Sequence, residues 1–166
     1  MIYDLLPDTH EMLLRQMPKW DFDNPPMPVE EFCASMVETM RHHGGIGLAA
    51  NQVGIETSAF AMETDEGPIV LFNPLVVWVS QDTQTMREGC LSFPDVELRL
   101  ARPQAIEVTY YEPTGNQVVK SFTDLSARCA LHEIDHLEGV VFTSKVSKLR
   151  LAMALKKSKK VKKNPK

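Results

Sequence analysis

His132-Glu133-Ile134-Asp135-His136 sets two imidazoles four residues apart, with a carboxylate directly after the first. On an α-helix, residues i and i+4 share a face one turn apart, so both rings can hold one metal ion. Glu133 follows about 100° further round, within reach of a water on that ion without being a ligand. The chemistry of such a layout is metal-assisted hydrolysis. The competing reading is a chance match on a solvated helix face, because the motif is short.

Catalytic sites of this type commonly use three protein ligands and keep one position for water. Downstream of His136 only Glu138 carries a ligating group, and it is too near along the helix to close the site. The third ligand is therefore sought upstream, among Cys90, Cys129, His42, His43 and the carboxylates. Cys90 leads, in Glu88-Gly89-Cys90-Leu91-Ser92, where Gly89 permits a tight turn after a strand. A metal displaces its thiol proton at neutral pH. Cys129, three residues before His132, reads better as a pocket wall.

A second unusual stretch is Gly44-Gly45-Ile46-Gly47-Leu48-Ala49-Ala50-Asn51-Gln52-Val53-Gly54. It lacks the Lys-Ser/Thr of a phosphate loop and follows a helix rather than a strand. Its bare backbone suits a loop and short strand that a ligand approaches closely, with an extended substrate adding to the strand edge. Gln52 then offers an amide donor to a carbonyl oxygen. The plainer reading is a loop that needs its glycines to turn.

The elements that hold these segments follow from periodicity. Val29, Phe32, Cys33, Met36, Val37 and Met40 recur at helical spacing, behind a Pro-rich loop over 18–28 and ahead of Gly44-Gly45. Cys33, Met36 and Met40 are read as core. Residues 57–63, 68–73, 75–79 and 84–88 read as short strands, and 104–112 with 117–123 as a hairpin across Pro113-Thr114-Gly115-Asn116. Residues 124–138 return to helical period and stop at Gly139. Ala130, Ile134 and Leu137 form one stripe of that helix, and Leu125, Cys129, His132 and His136 another. The expected fold is α+β: antiparallel β-sheets around a central metal-binding helix, with an N-terminal helix and a short C-terminal basic helix and tail.

The chain has 166 residues, 43% of them apolar, the size of one domain with a real core. It has no run long enough to cross a membrane and no basic n-region with an h-region at its start, so neither a membrane span nor a secretory leader is expected. Three cysteines suit a reducing cytoplasm better than a disulfide framework. The net charge of −4 hides an asymmetry: residues 145–166 carry nine Lys, one Arg and no acid, or +10, and the rest carries −14. Residues 1–145 are read as the catalytic domain and 146–166 as a basic tail, helical over 146–157 and disordered over 156–166. Such a tail is either a solvated face or a contact for RNA.

Three segments together resemble peptide deformylase: Gly45-Ile46-Gly47-Leu48-Ala49-Ala50-Asn51-Gln52, Glu88-Gly89-Cys90-Leu91-Ser92 and His132-Glu133-Ile134-Asp135-His136, in family order. The resemblance implies that Cys90, His132 and His136 bind one divalent metal ion. Fe²⁺ is implied in the cell, with Ni²⁺, Co²⁺ or Zn²⁺ in purified protein. It implies that a metal-activated water attacks the formyl group of an N-formylmethionyl nascent peptide with Glu133 as general acid/base. Gln52 and the Leu91 N–H would meet the oxyanion. Gly45, Ile46, Gly47, Glu88, Gly89, Leu125 and Cys129 would line the substrate, with Ile46, Leu125 and Cys129 around the methionine. Asp135 would brace the site, Glu88 would either contact substrate or orient its loop in the same way, and the tail would touch ribosomal RNA. One departure is that many relatives carry a substrate-contacting Arg a few residues after the Glu88–Ser92 motif, where this chain has Phe93-Pro94-Asp95-Val96-Glu97-Leu98-Arg99, with Glu97 or Arg99 in that place. A general zinc endopeptidase would need a downstream ligand that is missing. A catalytically dead metal- or RNA-binding module would not need Glu133.

Overall fold

A computed structural model of the chain describes residues 1–163. Helix α1 (Val29–His42) precedes β1 (Gly47–Ala49), a 3₁₀ turn (Ala50–Val53), and the strands β2 (Ala59–Thr64), β3 (Gly67–Val79), β4 (Thr83–Cys90), β5 (Phe93–Pro103), β6 (Ala105–Tyr111) and β7 (Gln117–Thr123). Helices α2 (Asp124–Leu137) and α3 (Lys148–Lys163) complete it. All strand pairs are antiparallel, in a five-stranded sheet ordered β1-β2-β3-β6-β7 and a separate β4-β5 hairpin.

Strand alternation decides what each face buries. In β2, Phe60 and Met62 join the cluster that contains Ala127, Ala130 and Leu137 of α2, while Ala59 and Ala61 join the one that contains Phe32, Met36 and Met40 of α1. The sheet is thus held between α1 on one face and α2 on the other. Small alanines let α1 approach, and Trp20 fills the remaining space against Phe32 and Phe72 at 4.9 Å between ring centroids. Cys33 packs half-buried against this core rather than within it.

Three expectations change. The strands expected over 68–73 and 75–79 are one strand, β3, which passes through an irregularity at Asn73 (φ 51°). The Asn73 amide accepts from Trp20 N–H at 2.7 Å and donates to Trp20 O at 2.9 Å, which holds the kink. Strand β5 occupies a stretch with no strand expected, and Val96, Leu98, Leu100 and Arg102 alternate inward along it. Helix α3 continues to Lys163, past the 157 at which sequence reading ends it, because Ala154 and Ser158, one turn apart, face the rest of the fold and Ser158 is buried. Lys, Leu, Ala and Met are strong helix formers, so the lysine run needs little more. The remaining part of the expected disordered tail, 164–166, lies outside the described residues.

Candidate metal centre

Helix α2 supplies the two imidazoles, with ring centroids 5.0 Å apart, and Phe142 packs edge-on against His132. Strand β4 ends at Cys90, which pairs with Phe93 across a two-residue link, Leu91-Ser92. That turn brings Cys90 Sγ to 3.2 Å from His136 Nε2. One ligand atom from each of Cys90, His132 and His136 lies within 4.8 Å of the others. Ligands on one ion at bond lengths of 2.0–2.3 Å sit roughly 3–4 Å apart, so the triad fits a single divalent ion. A thiolate and two imidazoles suit transition metals. Glu133 Oε2 is a buried polar atom without a protein partner, as a site built to take a further group requires.

The other upstream candidates go elsewhere. His43 Nε2 lies 3.1 Å from Tyr3 O, with the His42 ring against it. Cys129 Sγ donates to Ile46 O at 3.4 Å. The helix stripe allows the two histidines to face a groove lined by Leu125 and Cys129. His132 does line that cleft, whereas His136 lies behind it at 1% exposure.

Glu88 borders the same cleft as the other residues expected to line the substrate. Its carboxylate is buried and fully engaged: Oε1 faces His132 Nδ1 at 2.9 Å and accepts from Arg102 Nη2 at 2.9 Å, and Oε2 accepts from Arg102 Nε at 2.6 Å and from Arg128 Nη1. Arg102 Nη1 also donates to Asp135 Oδ2 at 2.8 Å, and Lys145 Nζ lies 3.2 Å from the same oxygen. A carboxylate on Nδ1 fixes the ring and leaves Nε2 for a metal. Burial alone would raise the Glu88 carboxyl, but the hydrogen bonds from His132 and Arg102 and the Arg102 charge hold it at about 2. Arg102 and Arg128 escape the sequence reading. The inward alternation of β5 is the available signal for Arg102, and Arg128 lies one turn before His132.

Glu133 is buried beside the triad. Burial pushes its carboxyl up to about 7, against the opposing pull of His132. The His132 ring is driven the other way: burial would lower it, but Cys90, Glu88 and Glu133 raise it to about 10. His136 falls, through burial and then the positive charges of His132 and Arg102.

A cleft of about 670 Å³ opens from this point and is lined by Gly45, Ile46, Gly47, Gly89, Leu125 and Cys129, among others. Its floor uses bare backbone for a reason. A Cβ on Gly47 would run into Glu133 Oε1 and sit 2.7 Å from Cys129 Sγ, and one on Gly45 would sit 2.6 Å from Leu91 Cδ1. Gly47→Ala should therefore displace Glu133 and lower turnover at least tenfold, at about 1–3 kcal/mol in stability. Steady-state kinetics with a thermal melt check this. Gln52 Oε1 accepts from Ala49 N–H at 2.8 Å, and its Nε2 donates to Ser92 Oγ at 3.0 Å with Cys90 Sγ at 3.6 Å. Asn51 Nδ2, also missed in the sequence, donates to His136 O at 2.7 Å and ties the 3₁₀ turn to α2. Glu97 borders the cleft, 3.8 Å from exposed Arg87, whereas Arg99 lies outside it against α3.

An antiparallel α+β scaffold that gathers Cys, His and His around one point, with a buried glutamate beside them, has the layout of a metal-dependent hydrolase. Residues 2–152 match the family model for polypeptide deformylase. A peptide deformylase of Bartonella tribocorum is 39% identical over 139 residues, 80% of this chain and 78% of that protein. The crystal structure of a peptide deformylase from Synechococcus elongatus superposes with a TM-score of 0.87 at 34% identity, over 95% of this chain and 86% of that one. The one from Thermotoga maritima does so at 0.84 and 31%, over 89% and 99%. The chain belongs to the polypeptide deformylase family and is a hydrolase.

Proposed function

We propose that the protein removes the N-formyl group from the initiator methionine of newly made polypeptides, releasing formate and a free amino terminus. The observation that carries this reading is the joint position of Cys90, His132, His136 and buried Glu133 at the foot of a cleft bordered by β1. β1 is an edge strand, so an extended peptide can pair with it. Cys90, His132 and His136 would hold a divalent ion, which would supply Lewis acidity to a water and to the formyl carbonyl. Glu133 takes the proton of the attacking water and returns it to the leaving amine. Charge building on the formyl oxygen is met by Gln52 Nε2–H and the Leu91 N–H. Ile46, Leu125 and Cys129 receive the methionine side chain, and Asp135 steadies the site through Arg102. Fe²⁺ is the ion proposed for the cell, with Ni²⁺, Co²⁺ or Zn²⁺ able to occupy the same donors.

The test is formate release from formyl-Met-Ala-Ser by anaerobically purified protein, with bound metal measured alongside. Release that stops on metal removal by a chelator and returns on adding Fe²⁺ is expected. Preference for acetylated peptides or internal bonds would overturn the reading in favour of an endopeptidase.

The work site is proposed to be the cytoplasm, at the ribosome. No helix among the described residues is long and apolar enough to cross a membrane. The support for RNA binding is the row of exposed lysines on α3. Deleting 156–166 would also remove buried Ser158, so neutralisation is the cleaner test. Lys156, Lys160 and Lys163 replaced together by Gln should leave turnover of the short peptide unchanged and weaken ribosome binding. The salt slope should fall by roughly 0.7–0.9 for each phosphate that the lysines no longer neutralise. Equal ribosome affinity would remove the tail from ribosome binding.

A further inference from the structure

Both groups proposed to meet the oxyanion, Gln52 and Leu91, converge on one two-residue turn. Leu91 and Ser92 link β4 to β5 between the paired Cys90 and Phe93. Leu91 follows a metal-ligand position, and Ser92 is 4% exposed, with its hydroxyl on Gln52 Nε2 at 3.0 Å. The Gln52 side chain is itself 1% exposed. Its carboxamide has two ends that must not exchange: Oε1 is fixed by the Ala49 N–H, and Nε2 carries two hydrogens. A hydroxyl that accepts one of those hydrogens aims the other, and here the remaining neighbour is Cys90 Sγ at 3.6 Å. Without an acceptor at position 92, one buried N–H is unsatisfied and the amide can swing away from the reacting oxygen.

We infer that Ser92 is a positioning residue, which holds the Gln52 amide in the orientation that donates to the developing oxyanion and ties it to the turn that carries the Leu91 N–H. This rests on the proposed deformylation. Preorganised donors matter because they need no reorganisation as charge develops. A hold of this kind acts on kcat, since the charge it serves exists only in the transition state.

Ser92→Thr and Ser92→Val have the same shape, and only the first keeps the hydroxyl. Ser92→Thr should keep kcat near that of the wild type, while Ser92→Val should lose on the order of tenfold or more in kcat with KM and bound metal little changed. In a Gln52→Leu background the difference between Thr and Val should vanish, since the group they position is gone. In the metal-free protein, the two proton resonances on the Gln52 side-chain ¹⁵N should be well separated and exchange slowly with solvent in wild type and Ser92→Thr, and should broaden and exchange faster in Ser92→Val. Equal losses for Thr and Val, or a loss that persists in Gln52→Leu, would assign Ser92 to packing and overturn the inference. Should the wild type itself fail to deformylate formyl-Met peptides, the amide signals still decide the hold on Gln52, and the proposed activity falls instead.

Discussion

Glu133→Ala lowers kcat on formyl-Met-Ala-Ser by about 10²–10⁴, the usual worth of a positioned acid/base, while the purified protein keeps its metal. Two facts set this expectation. Glu133 stands outside the Cys90-His132-His136 group, so its loss removes no ligand. It is nevertheless 4% exposed, with one carboxylate oxygen lacking any protein partner, in a site where burial has pushed the carboxyl up to about 7. A carboxyl titrating there takes and returns a proton near neutrality better than an exposed one. Metal analysis and single-turnover kinetics on the same preparation decide the matter. Loss of the metal together with activity would make Glu133 a ligand, and unchanged turnover would remove it from the reaction. Glu133→Gln, which keeps the shape, separates the proton role from the packing against Gly47.

The site is legible wherever local geometry translates spacing directly into position. Helical periodicity places His132 and His136 on one face. Gly89 reads as the site of a tight turn but lies inside β4 without a positive φ, at a register shift, and the turn falls on Leu91-Ser92 just after Cys90. What sequence spacing does not carry is the partner of a buried charge. Glu88 reads equally well as a substrate contact or as a brace until β5 is laid beside β4. That strand escapes notice although Val96, Leu98 and Leu100 alternate, because Pro94, Asp95 and Pro103 look like loop residues and Glu97 and Arg99 face outward between the apolar ones. Continuing the same alternation two residues further reaches Arg102, which explains how an arginine becomes buried. Similarly, Asn73-Pro74 reads as a strand break because the amide bonds to Trp20 that sustain a bulge are long-range. The lysines of α3 read as disorder because the docking of Ala154 and Ser158 is tertiary.

Glu88→Ala should be the most destabilising single change, about 3–5 kcal/mol, because it removes the carboxylate that two buried guanidinium groups share, leaving Arg128 with no counter-charge and only the Leu100 and Gln84 carbonyls, and Arg102 with Asp135 alone. Arg102 and Arg128 both turn on that one carboxylate, and their side chains are 6% and 4% exposed. Metal affinity should fall with it by about 10–100-fold, as His132 loses the acceptor on Nδ1 that orients the ring. Glu88→Gln, which retains an oxygen for His132 but no charge, should lose stability comparably and affinity less. Arg102→Met should be milder, since Glu88 keeps Arg128 and Asp135 keeps Lys145. Replacing all three network members by apolar residues of similar size (Glu88→Leu, Arg102→Met, Arg128→Met) should restore much of the stability, because no unpaired charge is left inside. It should not restore metal affinity, because nothing then orients His132. Denaturant unfolding in chelator gives the first quantity and metal titration of the folded protein the second. If the triple variant recovered both, the network would be a packing element, and the carboxylate on His132 Nδ1 would have no part in holding the metal.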